Sequence, residues 1–138
     1  MSTDTPLAAR IQTFLAAGPW AVVGATSVRS KYGNKVLRCY QQDARTPLYP
    51  VNPRATEIEG LPAYANLSST PERARAVSII TPPAITEAVV EEAARLGIRH
   101  LWMQPGAESA RALALAEQHG LECIAGGPCL LVVLGYRE

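Results

Sequence analysis

Trp20-Ala21-Val22-Val23-Gly24-Ala25-Thr26-Ser27-Val28-Arg29-Ser30-Lys31-Tyr32-Gly33-Asn34 opens the stretch that decides the fold, and Leu48-Tyr49-Pro50-Val51-Asn52-Pro53 closes it. The apolar run Ala21-Val22-Val23 breaks at Gly24-Ala25-Thr26 into a polar, basic loop that carries Ser27, Arg29, Ser30 and Lys31. Val36, Leu37 and Tyr40 then recur with helical period, which predicts a helix over 34–42 with Gly33-Asn34 at its N-terminus. A second apolar run follows and stops at Asn52-Pro53. Strand, loop, helix, strand is the first half of a crevice suited to nucleotides.

Toward the N-terminus, Leu7, Ile11, Phe14 and Leu15 predict a helix over 5–17, capped by Asp4 or Thr5 and stopped by Gly18-Pro19. Trp20 is expected to seal the first strand to that helix. Toward the C-terminus, residues 54–71 read as a crossover loop with little regular structure, pinned by Ile58, Leu61, Tyr64 and Leu67. A third strand over 76–80 ends at Thr81-Pro82-Pro83, and a helix follows over 84–96. A fourth strand over 99–103 breaks at Gln104-Pro105-Gly106, before a helix over 109–119 and a fifth strand over 121–125. The apolar tail 129–134 reads as a further strand or a dimer contact. Parallel strands need helical crossovers of this kind. The expectation is an α/β fold: a single Rossmann-like, doubly wound domain over 1–138, with about five mainly parallel strands and helices on both faces.

Composition narrows the ligand classes. The 138 residues suffice for one domain with a substantial core, and 48 % hydrophobic with 18 % charged residues is globular composition. Thirteen Lys and Arg against twelve Asp and Glu leave a net charge of +1, which argues against nucleic acid and anionic lipid as partners. Cys39, Cys123 and Cys129 lack a paired spacing, so no metal site is expected. No signal peptide or membrane-spanning run is legible, and reduced thiols in the cytoplasm are the expectation.

Ligands of open parallel sheets bind beyond the carboxyl ends of the strands, where strand order reverses. Gly24-Ala25-Thr26, Asn52-Pro53, Thr81-Pro82-Pro83 and Gln104-Pro105-Gly106 are all small, polar or proline-stiffened ends. The first loop adds a helix N-terminus, whose free N–H groups and dipole attract phosphate, together with the charges of Arg29 and Lys31 and the hydroxyls of Ser27 and Ser30. A dinucleotide fingerprint would place glycines as G-x-G-x-x-G and a carboxylate near the end of the second strand. Here the glycine after Gly24 is Gly33, and the second strand ends in Asn52-Pro53-Arg54. An arginine there suits a 2′- or 3′-phosphorylated adenosine, so the candidates are NADP and coenzyme A.

These motifs together resemble the small stand-alone CoA-binding proteins, which share a Rossmann-like fold with the N-terminal CoA-binding domain of the succinyl-CoA synthetase α subunit. The likeness runs over about 14–129 and rests on V-V-G-A-T, the basic loop, Y-P-V-N-P, T-P-P and W-M-Q-P-G. It implies that residues 24–31, with Arg29 and Lys31, lie along the pyrophosphate. Asn52, Pro53 and Arg54 would flank the adenosine and its 3′-phosphate. Thr81, Pro82 and Pro83 would line the adenine or pantetheine side, and Gln104 with Gly106 would border the outlet for the thiol. The family commonly has Pro and Arg early in the first loop, where this chain has Thr26-Ser27-Val28-Arg29, which leaves open which loop residues meet the phosphates.

No nucleophile elbow, Walker loop or H-E-x-x-H is present, and no histidine stands at a strand end beside a nucleophile. His119 reads as a cation at a helix C-terminus, and Glu57 and Glu59 read as solvated surface. Cys129 would be positioned for a mixed disulfide with a CoA thiol, though packing is its expected role, as for Cys39. The expected function is a non-catalytic module that binds CoA or a short acyl-CoA for sensing or delivery, as a homodimer or with a partner enzyme. The alternatives are an NADP-binding reductase subunit and a detached CoA-binding subunit of an acyl-CoA synthetase that needs an ATP-grasp partner.

Overall fold

The computed structural model describes residues 6–138, so the proposed caps Asp4 and Thr5 lie outside the described residues. In chain order it has α1 (Leu7–Leu15), β1 (Trp20–Val23), α2 (Tyr32–Gln42), β2 (Leu48–Val51), β3 (Glu57–Ile58), β4 (Leu61–Pro62) and β5 (Ala76–Ile79). There follow α3 (Pro83–Arg95), β6 (His100–Met103), α4 (Ala110–Gln118), β7 (Glu122–Ile124) and α5 (Leu130–Val133). Five strands form one sheet in the order β2-β1-β5-β6-β7, every pairing parallel. The chain builds outward to β2, returns past β1 to β5, and continues to β7. The order therefore reverses between β1 and β5, the switch point where such sheets hold ligands.

All four residues of β1, β2 and β5 are buried, because helices cover both faces. Trp20 and Val22 pack with Phe14 of α1, Val36, Leu37 and Tyr40 of α2, and Leu130 of α5. Ala21 and Val23 pack on the opposite face with Val89 and Val90 of α3 and Ala112 and Leu115 of α4. Trp20 seals the first strand as expected: its indole Nε1 donates to the Phe14 carbonyl at 3.1 Å. Trp102 is wholly buried and packs with Phe14 in a T-shaped arrangement, ring centroids 5.3 Å apart. Cys39 is buried against α5, and burial pushes its thiol up to about 11. In the core, the Tyr40 and Ser78 hydroxyls satisfy each other at 2.6 Å.

Two segments depart from the sequence expectation. Residues 54–71 are more regular than a loop: β3 and β4 pair antiparallel, Ile58 opposite Leu61. Their turn places Glu59 at φ 49° and Gly60 at φ 81°. Left-handed conformation at both central residues matches the right-handed twist of a two-residue hairpin. Glu-Gly is a weaker signal for it than Asn-Gly. A single 3-10 turn over Leu67–Ser69 follows, capped reciprocally by Asn66 and Ser69. The apolar tail is helix α5, not a strand. Short apolar runs do not distinguish the two by periodicity, and here burial of Leu130 beneath α2, with Val132 left in solvent, selects the helix.

Candidate functional site

Register brings the carboxyl ends of the strands level: Val23 stands opposite both Val51 and Ile79, and Ile79 opposite Met103. Above β1, β2 and β5 opens a cleft of about 760 Å³, in the range of small-molecule sites. Its walls include Gly24, Ala25, Thr26, Lys31, Asn52, Pro53, Arg54 and Thr81, eight of the fifteen residues expected from sequence.

Two glycines make the floor. Gly24 has φ +100°, and a β-carbon on it would lie 2.0 Å from the Ile80 carbonyl oxygen. A β-carbon on Gly33 would lie 2.0 Å from the Gly24 carbonyl oxygen. The spacing differs from the dinucleotide fingerprint, yet these glycines meet the same need for close approach of strand, turn and helix. Helix α2 thereby starts hard against the end of β1. No side chain caps that start, so first-turn N–H groups remain for an external acceptor. Lys31, Tyr32 and Gly33, at this N-terminus, line the cleft.

Asn34 holds the loop in shape. Its wholly buried amide donates to the Thr26 carbonyl at 2.7 Å and to Glu59 Oε2 at 3.0 Å, and accepts from Arg38 Nε at 2.6 Å. Arg38 also reaches the Arg29 carbonyl at 2.9 Å. Glu59 is thus no solvated bystander: besides Asn34 it meets Arg29 at 3.4 Å. Arg29 lies among Arg38, Gln41, Gln42, Glu59 and Glu138, outside the cleft wall. Ser27 and Ser30 are exposed and also outside that wall. Lys31 and Arg54 are the cations that line the cleft.

Asn52 ties two strand ends together. Its Nδ2 donates to the Ala25 carbonyl at 2.9 Å, while its Oδ1 accepts from the Arg54 backbone at 2.8 Å and so sets the turn that carries Arg54. Across the cleft the Thr81 hydroxyl meets that of Thr86 at 2.7 Å. Pro82 and Pro83 start α3 as N-cap and first helical residue, a position where proline's missing N–H costs nothing. Neither lines the cleft.

Gln104 and Gly106 lie beyond the wall as well. Gln104 is wholly buried, and its Oε1 accepts from the Tyr32 hydroxyl at 3.1 Å and from the Leu130 backbone at 2.9 Å. It joins the starts of α2 and α5. The Tyr32 hydroxyl also lies 2.8 Å from the Cys129 thiol, and burial, with this thiol beside it, raises the phenol above its ordinary pKa. Glu108 accepts from the backbones of Gly106 at 2.8 Å and Gly126 at 3.2 Å, which joins the turns after β6 and β7. Backbone N–H groups, its own foremost, hold this carboxyl below the usual range.

The sequence missed Tyr32, Ala65, Asn66, Ile85, Val89 and Glu92 in the cleft wall. Ile85, in the first turn of α3 after Thr-Pro-Pro, is 52 % exposed and presents apolar surface to the cleft. Glu92 holds the turn that carries Ser68, accepting its N–H at 3.2 Å. Of the histidines, His119 meets Glu91 of α3 at 2.9 Å. Among the described residues no helix is long and apolar enough to cross a membrane.

A parallel sheet with strand order reversed at β1 and β5, and a cleft over that reversal backed by an uncapped helix start, define a Rossmann-like domain. The profile of the CoA binding domain family matches residues 19–135. The chain belongs to that family. It is 28 % identical over 120 residues to an ADP-forming acetate–CoA ligase I of Archaeoglobus fulgidus, covering 80 % of this chain but 17 % of the ligase. It is 27 % identical over 79 residues to an ADP-forming acetate–CoA ligase II α subunit of Pyrococcus furiosus, again 17 % of its length. Among solved structures, a conserved hypothetical protein of Pyrococcus furiosus superposes with a TM-score of 0.77 at 35 % identity, covering 83 % of this chain and 97 % of the other. A dinucleotide-forming acetyl-coenzyme A synthetase 1 of Candidatus Korarchaeum cryptofilum, solved with phosphate and ADP, superposes with a TM-score of 0.71 at 25 % identity, over 80 % of this chain and 26 % of that one.

Proposed function

We propose that the protein binds coenzyme A or a short acyl-CoA in the cleft above β1, β2 and β5, as a module without chemistry of its own. The observation that carries this reading is the uncapped N-terminus of α2, opening with Lys31 into a cleft whose other cation is Arg54. The pyrophosphate lies along Gly24, Ala25, Thr26 and Lys31 at the helix start. Arg54, on the turn fixed by Asn52, meets the 3′-phosphate. Pro53, Ile85 and Val89 give the adenine and pantetheine apolar walls, and Thr81 offers a hydroxyl. Arg29, paired with Glu59, shapes the loop rather than meeting phosphate directly.

The test is thermal unfolding with CoA, acetyl-CoA, dephospho-CoA, NADP and NAD in parallel. A ligand at a hundred times its dissociation constant adds about 2.7 kcal/mol of stability. CoA is expected to shift the transition most, and dephospho-CoA less. A response to NADP alone would overturn the reading.

The likeness to ADP-forming acetate–CoA ligases favours one further role, as the CoA-binding part of an acyl-CoA synthetase whose remaining machinery lies on a partner. Co-purification with an ATP-grasp protein, and acyl-CoA formation only when both are present, would establish it.

A further inference from the structure

At the amino ends of β5 and β6, the other end of the sheet from the cleft, lies a second concavity of about 410 Å³. Arg73, Arg75, Arg99 and His100 line it, with Ala74 and Gly97 between them. We propose that it is a second anion-binding site, selective for a small, multiply charged oxyanion of the phosphate or polycarboxylate type.

The charge is gathered from separate parts of the chain. Arg73 and Arg75 lie on the segment entering β5, while Arg99 immediately precedes the next strand, β6, which His100 begins. Pairing of Ala76 with His100 sets these two segments side by side. Gly97, just after α3, leaves room for Arg73: a β-carbon there would meet Arg73 Nη1 at 3.4 Å.

These arginines lack the ion-pair partners that four other arginines of the chain have. Arg29, Arg38, Arg45 and Arg111 each form an ion pair, whereas among the described residues Arg73, Arg75 and Arg99 form none. The Arg99 side chain makes a long contact, 3.4 Å, with the Gly120 carbonyl. In a chain of net charge +1 this excess of positive charge is local. Guanidinium groups converging on one hollow suit an oxyanion, which they grip through paired N–H donors. The hollow is the size of a small-ligand site rather than of a track for a polymer.

His100 supplies a reporter. Burial, then the charges of Arg99 and Arg75, lower its pKa, and Glu122, directly opposite it on β7, acts the other way. An anion seated among the arginines cancels their push and so moves the imidazole pKa upward. By linkage, binding then strengthens as pH falls through that pKa.

The experiment follows the His100 and His119 imidazole resonances by NMR in the full chain. Sodium pyrophosphate, phosphate and citrate are titrated against sodium chloride at matched ionic strength. The expected result is a saturable His100 shift and a raised His100 pKa with pyrophosphate or citrate, none with chloride, and little change at His119, which pairs with Glu91. Saturation by pyrophosphate alone assigns a phosphate ligand, and by citrate alone a carboxylate. R75Q/R99Q is expected to weaken binding at least tenfold while leaving the thermal response to CoA intact. R75K/R99K, which keeps the charge but not the forks, serves if the first pair fails to fold and is expected to bind more weakly than the native chain. Equal, unsaturating responses to chloride and pyrophosphate would overturn the site, as would affinity unchanged in the variants.

Discussion

Gly33 rests against Gly24: a β-carbon added to Gly33 would lie 2.0 Å from the Gly24 carbonyl oxygen and 3.5 Å from the Ala25 α-carbon. The obstacle is backbone, so no side chain can swing aside. Helix α2 approaches the end of β1 this closely because Gly33 carries no side chain, and the helix start reaches the cleft as a result.

Gly33→Ala sets two effects against each other. Alanine is about 1 kcal/mol better than glycine within a helix, but a 2.0 Å approach to backbone requires the helix to shift. Overpacking of this kind costs about 1–3 kcal/mol, and more when the obstacle cannot move. The steric cost prevails, so the variant is expected to be destabilised in urea unfolding and to lose CoA response. Gly120→Ala is the control: its φ is +70° with open space around it, so only backbone strain is added, just after α4 on the opposite face of the sheet from α2.

Asn34→Ala removes the amide that holds the Thr26 carbonyl, Glu59 and Arg38 together. A buried group left unpaired costs about 1–3 kcal/mol. Urea denaturation is expected to show a loss in that range, with faster amide exchange across residues 26–31. Asn34→Asp is expected to be worse, because its carboxylate would face Glu59.

Lys31 and Arg54 are expected to separate in their ligand dependence. Charged hydrogen bonds contribute about 1.5–3 kcal/mol, so each loss weakens binding by roughly tenfold or more. Arg54→Gln should abolish the preference for CoA over dephospho-CoA and leave dephospho-CoA binding little changed. Lys31→Gln should weaken both ligands alike. Titration calorimetry on the two variants checks the assignment; an unaltered preference in Arg54→Gln would remove Arg54 from the 3′-phosphate.

Glu108 links stability to acid pH. Its folded pKa is lowered by backbone N–H groups, those of Gly106 and Gly126 among them, so the folded state binds its proton less readily than the unfolded chain. The contribution is complete above the ordinary glutamate pKa and is lost as pH falls through the lower, folded value. Glu108→Gln is expected to melt below the native protein at neutral pH, and the gap is expected to close in acid. Melting temperatures across the carboxylate range test this.

Much of this architecture was legible because local chemistry and tertiary structure agree. Ala21-Val22-Val23 and Val77-Ser78-Ile79 are short, nearly continuous apolar runs, as strands covered on both faces must be. Glycine, proline and asparagine mark the strand ends, and parallel register then brings those ends level. The cleft's position followed from the same pattern. Gly24, Asn52 and Arg54 were legible as strand-end residues of its wall because backbone approach, turn formation and a positive charge beside the turn each demand a particular residue type.

What the tertiary structure alone decided depends on partners distant in the chain. Arg29 stands in the basic loop after β1, and Glu59, thirty residues on in the hairpin turn, pairs with it. Gln104 ends a strand as a ligand-binding residue would, yet it is buried because α2 and α5 converge on its carboxamide. The tail at 130–133 is apolar enough for a strand, and only its seat beneath α2 makes it a helix. Ile85 and Val89 share the periodicity of core residues, and what places them in the cleft wall is where the start of α3 lies relative to β1. Periodicity and turn chemistry act over a few residues and can be read in order; charge pairing and burial depend on which surfaces meet, and that is known only once the chain has folded.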